Sequence, residues 1–341
     1  MRKASALLAF ALSLSGGFAA ADEKTTVEKI KFRDATAWRI SDGVTEAVIV
    51  PAYGGRLMRY GKVGGANWLW TGQPEEVGEY MRWGGDKTFP GPHSMWHFTM
   101  PRAWPPPAPD TTEHAIEVKE RSVVTTSPPW EAYGGARVVR EYRFEKGELV
   151  ISHRITPVPG SAVPVAAWVI TQCEPAVAYV PLPRESPYKD AYVWLGGNRD
   201  AAQMRFASPT LLEITPKKGA VFKLGSHPER PALAAVRDGE LFLQRAEVEA
   251  RVRNPKPGEP ATQWIPADPN SQYPEGTNGA GLSVEYYHHN LPPPRQYIEL
   301  ELLSPLRPAR EGAAFQTRWS LHTLHGDSPA DAAAKILVGG K

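Results

Sequence analysis

The chain has 341 residues, 42% of them hydrophobic and 22% charged, with 39 Lys and Arg against 37 Asp and Glu. That composition fits a soluble globular chain with room for a sizeable core. A formal net charge of +2 gives no electrostatic case for a nucleic-acid or anionic-membrane partner. A single cysteine, Cys173, excludes an intrachain disulfide and a thiolate metal cluster.

The first 21 residues read as a secretory signal. Arg2 and Lys3 precede an apolar run from Ala4 to Leu14, Gly16 and Gly17 break it, and Ala19 to Ala21 offer small residues for cleavage. The run is well short of the roughly 20 residues a spanning helix needs, so the expected location is the periplasm or the exterior. Residues 22–341 show no internal repeat and no composition break, and read as a single domain.

From there the pattern alternates rather than recurring every three or four residues. Glu46–Val50, His114–Lys119, Arg137–Phe144, Leu149–Ile155 and Glu240–Gln244 read as strands. Asp42-Gly43, Lys146-Gly147, Lys218-Gly219 and Asp238-Gly239 mark turns between strands. The one good helix signal is the last: Ser328, Pro329 and Asp331 read as N-cap, first helical residue and capping-box acid before Ala332–Leu337. Many antiparallel strands without intervening helices predict an all-β sandwich, and no glycine-rich phosphate loop implies a nucleotide. No cofactor is expected.

Two stretches, Gln73–Asp110 and Asn254–Asn278, read as long loops, and long loops are often binding loops. The first is aromatic. Trp68 and Trp70 fit a strand and core packing, whereas Trp83 and Trp104 sit beside Gly and Pro and suit the face of a sugar ring. Arg82, Lys87 and His93 share this segment and suit a polar ligand, solvated surface charge being the alternative. His93 and His97 have metal-ligand spacing, but Pro92 argues against the helix that spacing needs and no third ligand is evident. No metal is expected.

Near the C-terminus, Leu282–His288 and Gln296–Leu302 fit a hairpin centred on Pro292, in which Glu285 faces Glu299 and Ser283 faces Glu301. Three carboxylates then crowd one face, with cross-strand Cβ atoms ~5 Å apart. Crowding of that kind either recruits cations or holds a proton, and acid/base chemistry uses it. A polar face balanced by Arg and Lys is the alternative. The Glu285/Glu299 spacing also suits retaining glycoside cleavage. His288 and His289 could share this site, but a surface role at the hairpin end fits them better.

The order of motifs resembles the galactose mutarotase-like (aldose epimerase-like) superfamily, and within it a bacterial branch of domains of unknown function. The carrying residues are Pro51-Ala-Tyr-Gly-Gly-Arg-Leu57, Asn67-Trp-Leu-Trp70, Gly84-Gly-Asp-Lys-Thr-Phe-Pro90 and Tyr297-Ile-Glu-Leu-Glu-Leu-Leu-Ser-Pro305, within a match from about Glu46 to Leu321. The resemblance implies a β-supersandwich whose concave face binds a mono- or oligosaccharide. It implies Glu299 as the base that takes the anomeric hydroxyl proton. The family's mid-chain histidine is absent from the strand Val163–Gln172, which offers Trp168 and Gln172, and its earlier histidine is replaced by Trp83. The proton donor is then His93 or Lys87, with Arg56 as a substrate or carboxylate partner, Trp83 and Trp168 as stacking faces, and Glu285 and Glu301 beside the base. The lost histidines equally suit a non-catalytic glycan-binding module.

Overall fold

The structure, a computed structural model, describes residues 24–72, 76–77, 80–91, 108–161, 164–186, 188–199, 203–247, 282–292, 295–305, 307–326 and 328–338. The signal-like segment, His93, His97, Trp104 and the stretch 254–278 lie outside them.

Two large sheets dominate. In spatial order the first runs β1 (Thr26–Phe32), β2 (Ala35–Ser41), β3 (Thr45–Val50), β4 (Arg56–Lys62), β7 (Asp86–Gly91), β12 (Pro164–Cys173), β21 (Gln296–Leu303), β20 (Val284–Asn290), β17 (Val221–Ser226) and β14 (Val193–Gly197), with β22 (Arg307–Pro308) also pairing with β12. The second runs β15 (Gln203–Ser208), β16 (Leu211–Thr215), β13 (Val177–Pro181), β18 (Ala232–Arg237), β19 (Glu240–Glu247), β23 (Ala313–Thr323), β11 (Glu148–Ile155), β10 (Val138–Glu145), β9 (Ser122–Thr126) and β8 (Ala115–Val118). A small hairpin joins β5 (Glu76–Val77) to β6 (Tyr80–Met81). The all-β sandwich read from the alternation is what forms.

Turn chemistry sets the hairpins. Lys146 and Gly147, at φ of 52° and 76°, and Asp238 and Gly239, at 51° and 74°, both carry the paired left-handed residues that match strand twist, joining β10 to β11 and β18 to β19. The helix α1 (Pro329–Leu337) starts as its sequence dictates: Ser328 accepts from the Asp331 backbone N–H, which satisfies one of the helix's unpaired donors. Its Ala333 and Leu337 pack with Leu211, Ala234 and Leu241 of the second sheet.

The main core lies among residues such as Leu57, Phe89, Val169, Ile298, Leu300, Tyr142, Ile151, Phe242 and Trp319, all fully or almost fully buried. Polar links thread it. Asp86 pairs with Arg140, Thr171 donates to Asp86 Oδ2 at 2.7 Å, and His153 bridges Thr88 and Thr317 at 2.8 and 2.9 Å. Burial, then the Arg140 charge, pushes the His153 pKa well below its usual value, so the ring stays neutral and joins the two sheets as a hydrogen-bonding unit. Cys173 is buried and its thiol pKa is driven up by burial, as an inert core cysteine requires.

One expectation fails here. Part of Gln73–Asp110 is not a loop: Asp86–Gly91 is β7, a central strand between β4 and β12. Pro90 sits opposite Ala167 within that ladder, and a proline inside a central strand is what sequence reasoning counts against a strand.

Candidate active site

The site is built on the face of the first sheet turned away from the second. Along β12, Thr171 reaches Asp86, the partner of Arg140 on the second sheet, and Val169 and Cys173 share its face, so Trp168, Ile170 and Gln172 point the other way. Register extends this face sideways. Lys87 is opposite Ile170, Ile170 is opposite Glu301, and Glu301 is opposite Glu285. One step along, Gln172 is opposite Glu299, Glu299 opposite Tyr287, and Tyr287 opposite Lys223.

The hairpin register differs from expectation by one residue on its turn. Asn290 pairs with Gln296, which leaves the described residues Leu291, Pro292 and Arg295 outside the ladder, and proline has no N–H to give one. The faces survive the slip, but the partners change: Glu285 faces Glu301, and Glu299 faces Tyr287. Glu285 and Glu299 are therefore diagonal, and the direct cross-strand pair on which glycoside cleavage was read is not formed.

The carboxylates are buried rather than solvated. Glu285 is 3% exposed and Glu301 fully buried, whereas Glu299 is half-buried and open to the face. Lys223 Nζ joins the first two, at 2.6 Å from Glu285 Oε2 and 2.9 Å from Glu301 Oε2. The Trp168 indole N–H also donates to Glu301 Oε2 at 2.6 Å, and Lys223 Nζ lies 5.0 Å from that ring's centroid. Trp168 is thus a buried hydrogen-bond donor covered by a cation, not an open stacking face.

Protonation follows from these surroundings. Burial, then the charge of Glu301, pushes Glu299 up to about 7, while Lys87, Lys223 and the Gln172 amide at 2.7 Å oppose the shift. Burial pushes Glu285 up to about 7 as well, against the pull of Lys223 and with the push of Glu301. Lys87, itself buried, is brought down to about 8 by burial and then by Arg56. Acid and base thus sit near neutrality on one face.

Aromatic and imidazole groups close one end. His289 Nδ1 lies 2.9 Å from the Tyr297 hydroxyl and 3.3 Å from that of Tyr287, and Trp70 packs on Tyr297 at 4.6 Å between ring centroids. His288 and His289 are buried, contrary to the surface role expected of them, because the strand runs on through Asn290. His288 points inward to Tyr286 Oη at 2.9 Å.

Arg56 and Trp83 take up supporting positions. Arg56 is buried, paired with Asp110 at 2.6 Å and donating to the Gly84 carbonyl at 3.0 Å, so its carboxylate partner is the protein's own. Trp83 stacks on Tyr53 at 3.9 Å between centroids, which covers one indole face. Gly84, at φ of 76°, lies where a Cβ would meet the Trp70 carbonyl oxygen at 2.3 Å, and Gln172 N donates to the Gly85 carbonyl at 3.0 Å. The segment carrying Arg82 is thereby pinned beside Gln172 and Trp70. His93 and Trp104 lie outside the described residues. Sequence reasoning missed Lys223: a lone lysine in an alternating strand carries no signal until the register sets it beside two glutamates.

Among the described residues no group of His, Cys, Asp or Glu is arranged to hold a metal ion, and no helix is long and apolar enough to cross a membrane. A cavity of about 230 Å³ beside the end of α1, lined by Leu182, Arg184, Glu229 and Leu337 among others, contains none of Lys87, Lys223, Glu285, Glu299 and Glu301.

No protein-family model and no curated protein matches the sequence. Solved structures do match in shape. A galactose mutarotase-like protein from Lactobacillus casei aligns over 87% of this chain and all of its own, with a TM-score of 0.51 at 10% identity. A candidate aldose 1-epimerase from Escherichia coli K12 aligns over 88% and 100%, with a TM-score of 0.50 at 8% identity. The fold is galactose mutarotase-like. A TPR-domain-containing protein from Parabacteroides distasonis shares it over 86% of this chain, with a TM-score of 0.51 at 12% identity, and there the chain spans about half the partner's length, 48%. At such identities the mutarotase-like likeness is one of architecture, and residue roles rest on the geometry above.

Proposed function

We propose that the protein is an exported carbohydrate-recognising protein that carries out acid/base chemistry at the anomeric centre of a sugar, in the manner of an aldose 1-epimerase. The observation that carries this is Glu299: a half-buried carboxyl poised at about 7, hydrogen-bonded by Gln172, on a face where Lys87 is poised at about 8. Fold neighbours named for mutarotases and aldose epimerases are compatible with a sugar ligand. Export rests on the N-terminal sequence, and the bacterial branch of the superfamily on the run of motifs alone.

The chemistry needs one base and one acid. Glu299 takes the proton of the anomeric hydroxyl, and the electron pair forms the carbonyl as the bond from the anomeric carbon to the ring oxygen breaks. Lys87 gives its proton to that ring oxygen. Rotation and reclosure return the ring-oxygen proton to Lys87 and the Glu299 proton to the new anomeric hydroxyl. A pair of groups near neutrality can do this in both directions.

Thermal-shift screening against neutral and acidic mono- and oligosaccharides tests the reading. A ligand at 100 times its dissociation constant adds roughly 2.7 kcal/mol of stability. A hit that also exchanges anomers supports catalysis. Trp168 and Gln172, standing where the resemblance places a histidine, favour a second reading, glycan binding without turnover. A hit with no exchange selects it.

A further inference from the structure

We infer that the sugar taken by this site carries an acidic group, and that Arg82 binds it. The inference rests on the sugar site proposed above and adds the class of substrate.

The first observation is an uncommitted guanidinium. Arg82 is half-buried, and its Nε is buried with no acceptor among the described residues. No ion pair among the described residues takes its charge, whereas Lys223 is held by Glu285 and Glu301 and Arg56 by Asp110. A buried N–H left unpaired is costly, and a fork of donors beside a ligand face matches a planar carboxylate.

The second is position. Arg56 fixes the Gly84 carbonyl, Gln172 fixes that of Gly85, and the Gly85 N–H donates to the Trp70 carbonyl at 2.8 Å. Gln172 in turn holds Glu299, and Trp70 packs on Tyr297. The arginine therefore belongs to a segment pinned beside Gln172, the partner of the half-buried Glu299. Its charge is felt at Tyr287, the residue opposite Glu299, whose phenol is raised to about 12 by burial and then by Glu299 while Arg82 opposes the rise.

The third is charge balance. Lys87 and Lys223 stand on this face with Glu285, Glu299 and Glu301, and the Arg82 charge reaches it at Tyr287. Burial raises Glu285 and Glu299 to about 7, which leaves less negative charge on this face to meet that of Arg82. A neutral aldose would leave that charge and the Arg82 donors unmatched. An exocyclic carboxylate or phosphate, carried next to the ring oxygen and away from the anomeric hydroxyl, would meet Arg82 without crowding Glu299.

Calorimetric titration at pH 7 decides it, with D-glucuronate, D-galacturonate and D-glucose 6-phosphate set against D-glucose and D-galactose. An anionic sugar should bind about tenfold or more tighter than its parent aldose, the size of one charge-assisted contact. Arg82→Gln should bring the two within about twofold, and Arg82→Lys should keep part of the preference. Preference for the phosphate over the uronates would identify the acidic group as a phosphate. Aldoses that bind as tightly as their acids, or a preference that survives Arg82→Gln, would overturn the inference and leave the sugar site standing. If none of these sugars binds, the sugar-site reading fails first and this one with it.

Discussion

The Gln172 amide Nε2 donates to Glu299 Oε1 at 2.7 Å across two neighbouring strands. The contact favours the ionised carboxylate and partly offsets the burial and the Glu301 charge that push Glu299 up. Replacing Gln172 with Leu removes it. The acidic limb of the pH–rate profile should then move to higher pH by up to about one unit, the worth of one charge-assisted hydrogen bond. An unmoved limb would mean that the limb does not report Glu299.

Lys223 carries the stability of the site. Its ammonium is the shared partner of Glu285 and Glu301, both buried. Lys223→Met leaves them without it and should cost about 3–5 kcal/mol in urea unfolding at pH 8, the usual penalty for an uncompensated buried charge. The loss should shrink at pH 5.5, where Glu285 escapes its charge by taking a proton.

The same groups set a pH signature. Glu285 and Glu299 are raised from 4.5 to about 7, so across that window the folded chain holds protons the unfolded chain has released. Their stabilising contribution is full below about 4.5 and is lost as pH rises through about 7. Lys87 is lowered from 10.5 to about 8; there the unfolded chain binds the extra proton, and stability from this group grows from about pH 8 to 10.5. Glu285→Gln should gain on the wild type by on the order of 1–3 kcal/mol between pH 5 and pH 8. A constant difference across that range would contradict the buried-acid assignment.

Behind Lys87, on the core side of the same strand, Asp86 pairs with Arg140 and accepts from Thr171. Arg140→Met strands a fully buried carboxylate and should destabilise by about 3–5 kcal/mol. Denaturant unfolding with an unchanged slope would confirm a loss of stability rather than of compactness.

How much of this was legible in the sequence divides along physical lines. Alternation and paired left-handed turn residues are local, so β10, β11 and the Asp238-Gly239 hairpin could be read directly, as could the Ser328 cap. The second half of the hairpin carrying Glu299 could be read by face but not by register, because only the turn decides which residues the prolines remove from the ladder. β7 was hidden by Pro90, whose cost is met by a strand already fixed through Asp86 and Thr171. The carboxylate cluster was visible, but Lys223 and the burial that shifts its acids are long-range facts with no local trace.

The central claim is that Glu299 acts as a base on a sugar, and anomer exchange in wild type and Glu299→Gln tests it most directly. On a sugar that binds, two-dimensional exchange NMR at pH 7 should show catalysed interconversion by the wild type and a fall of about 10²–10⁴-fold in the variant, with binding retained. A variant that exchanges anomers as fast as the wild type would remove Glu299 from the chemistry and contradict the account.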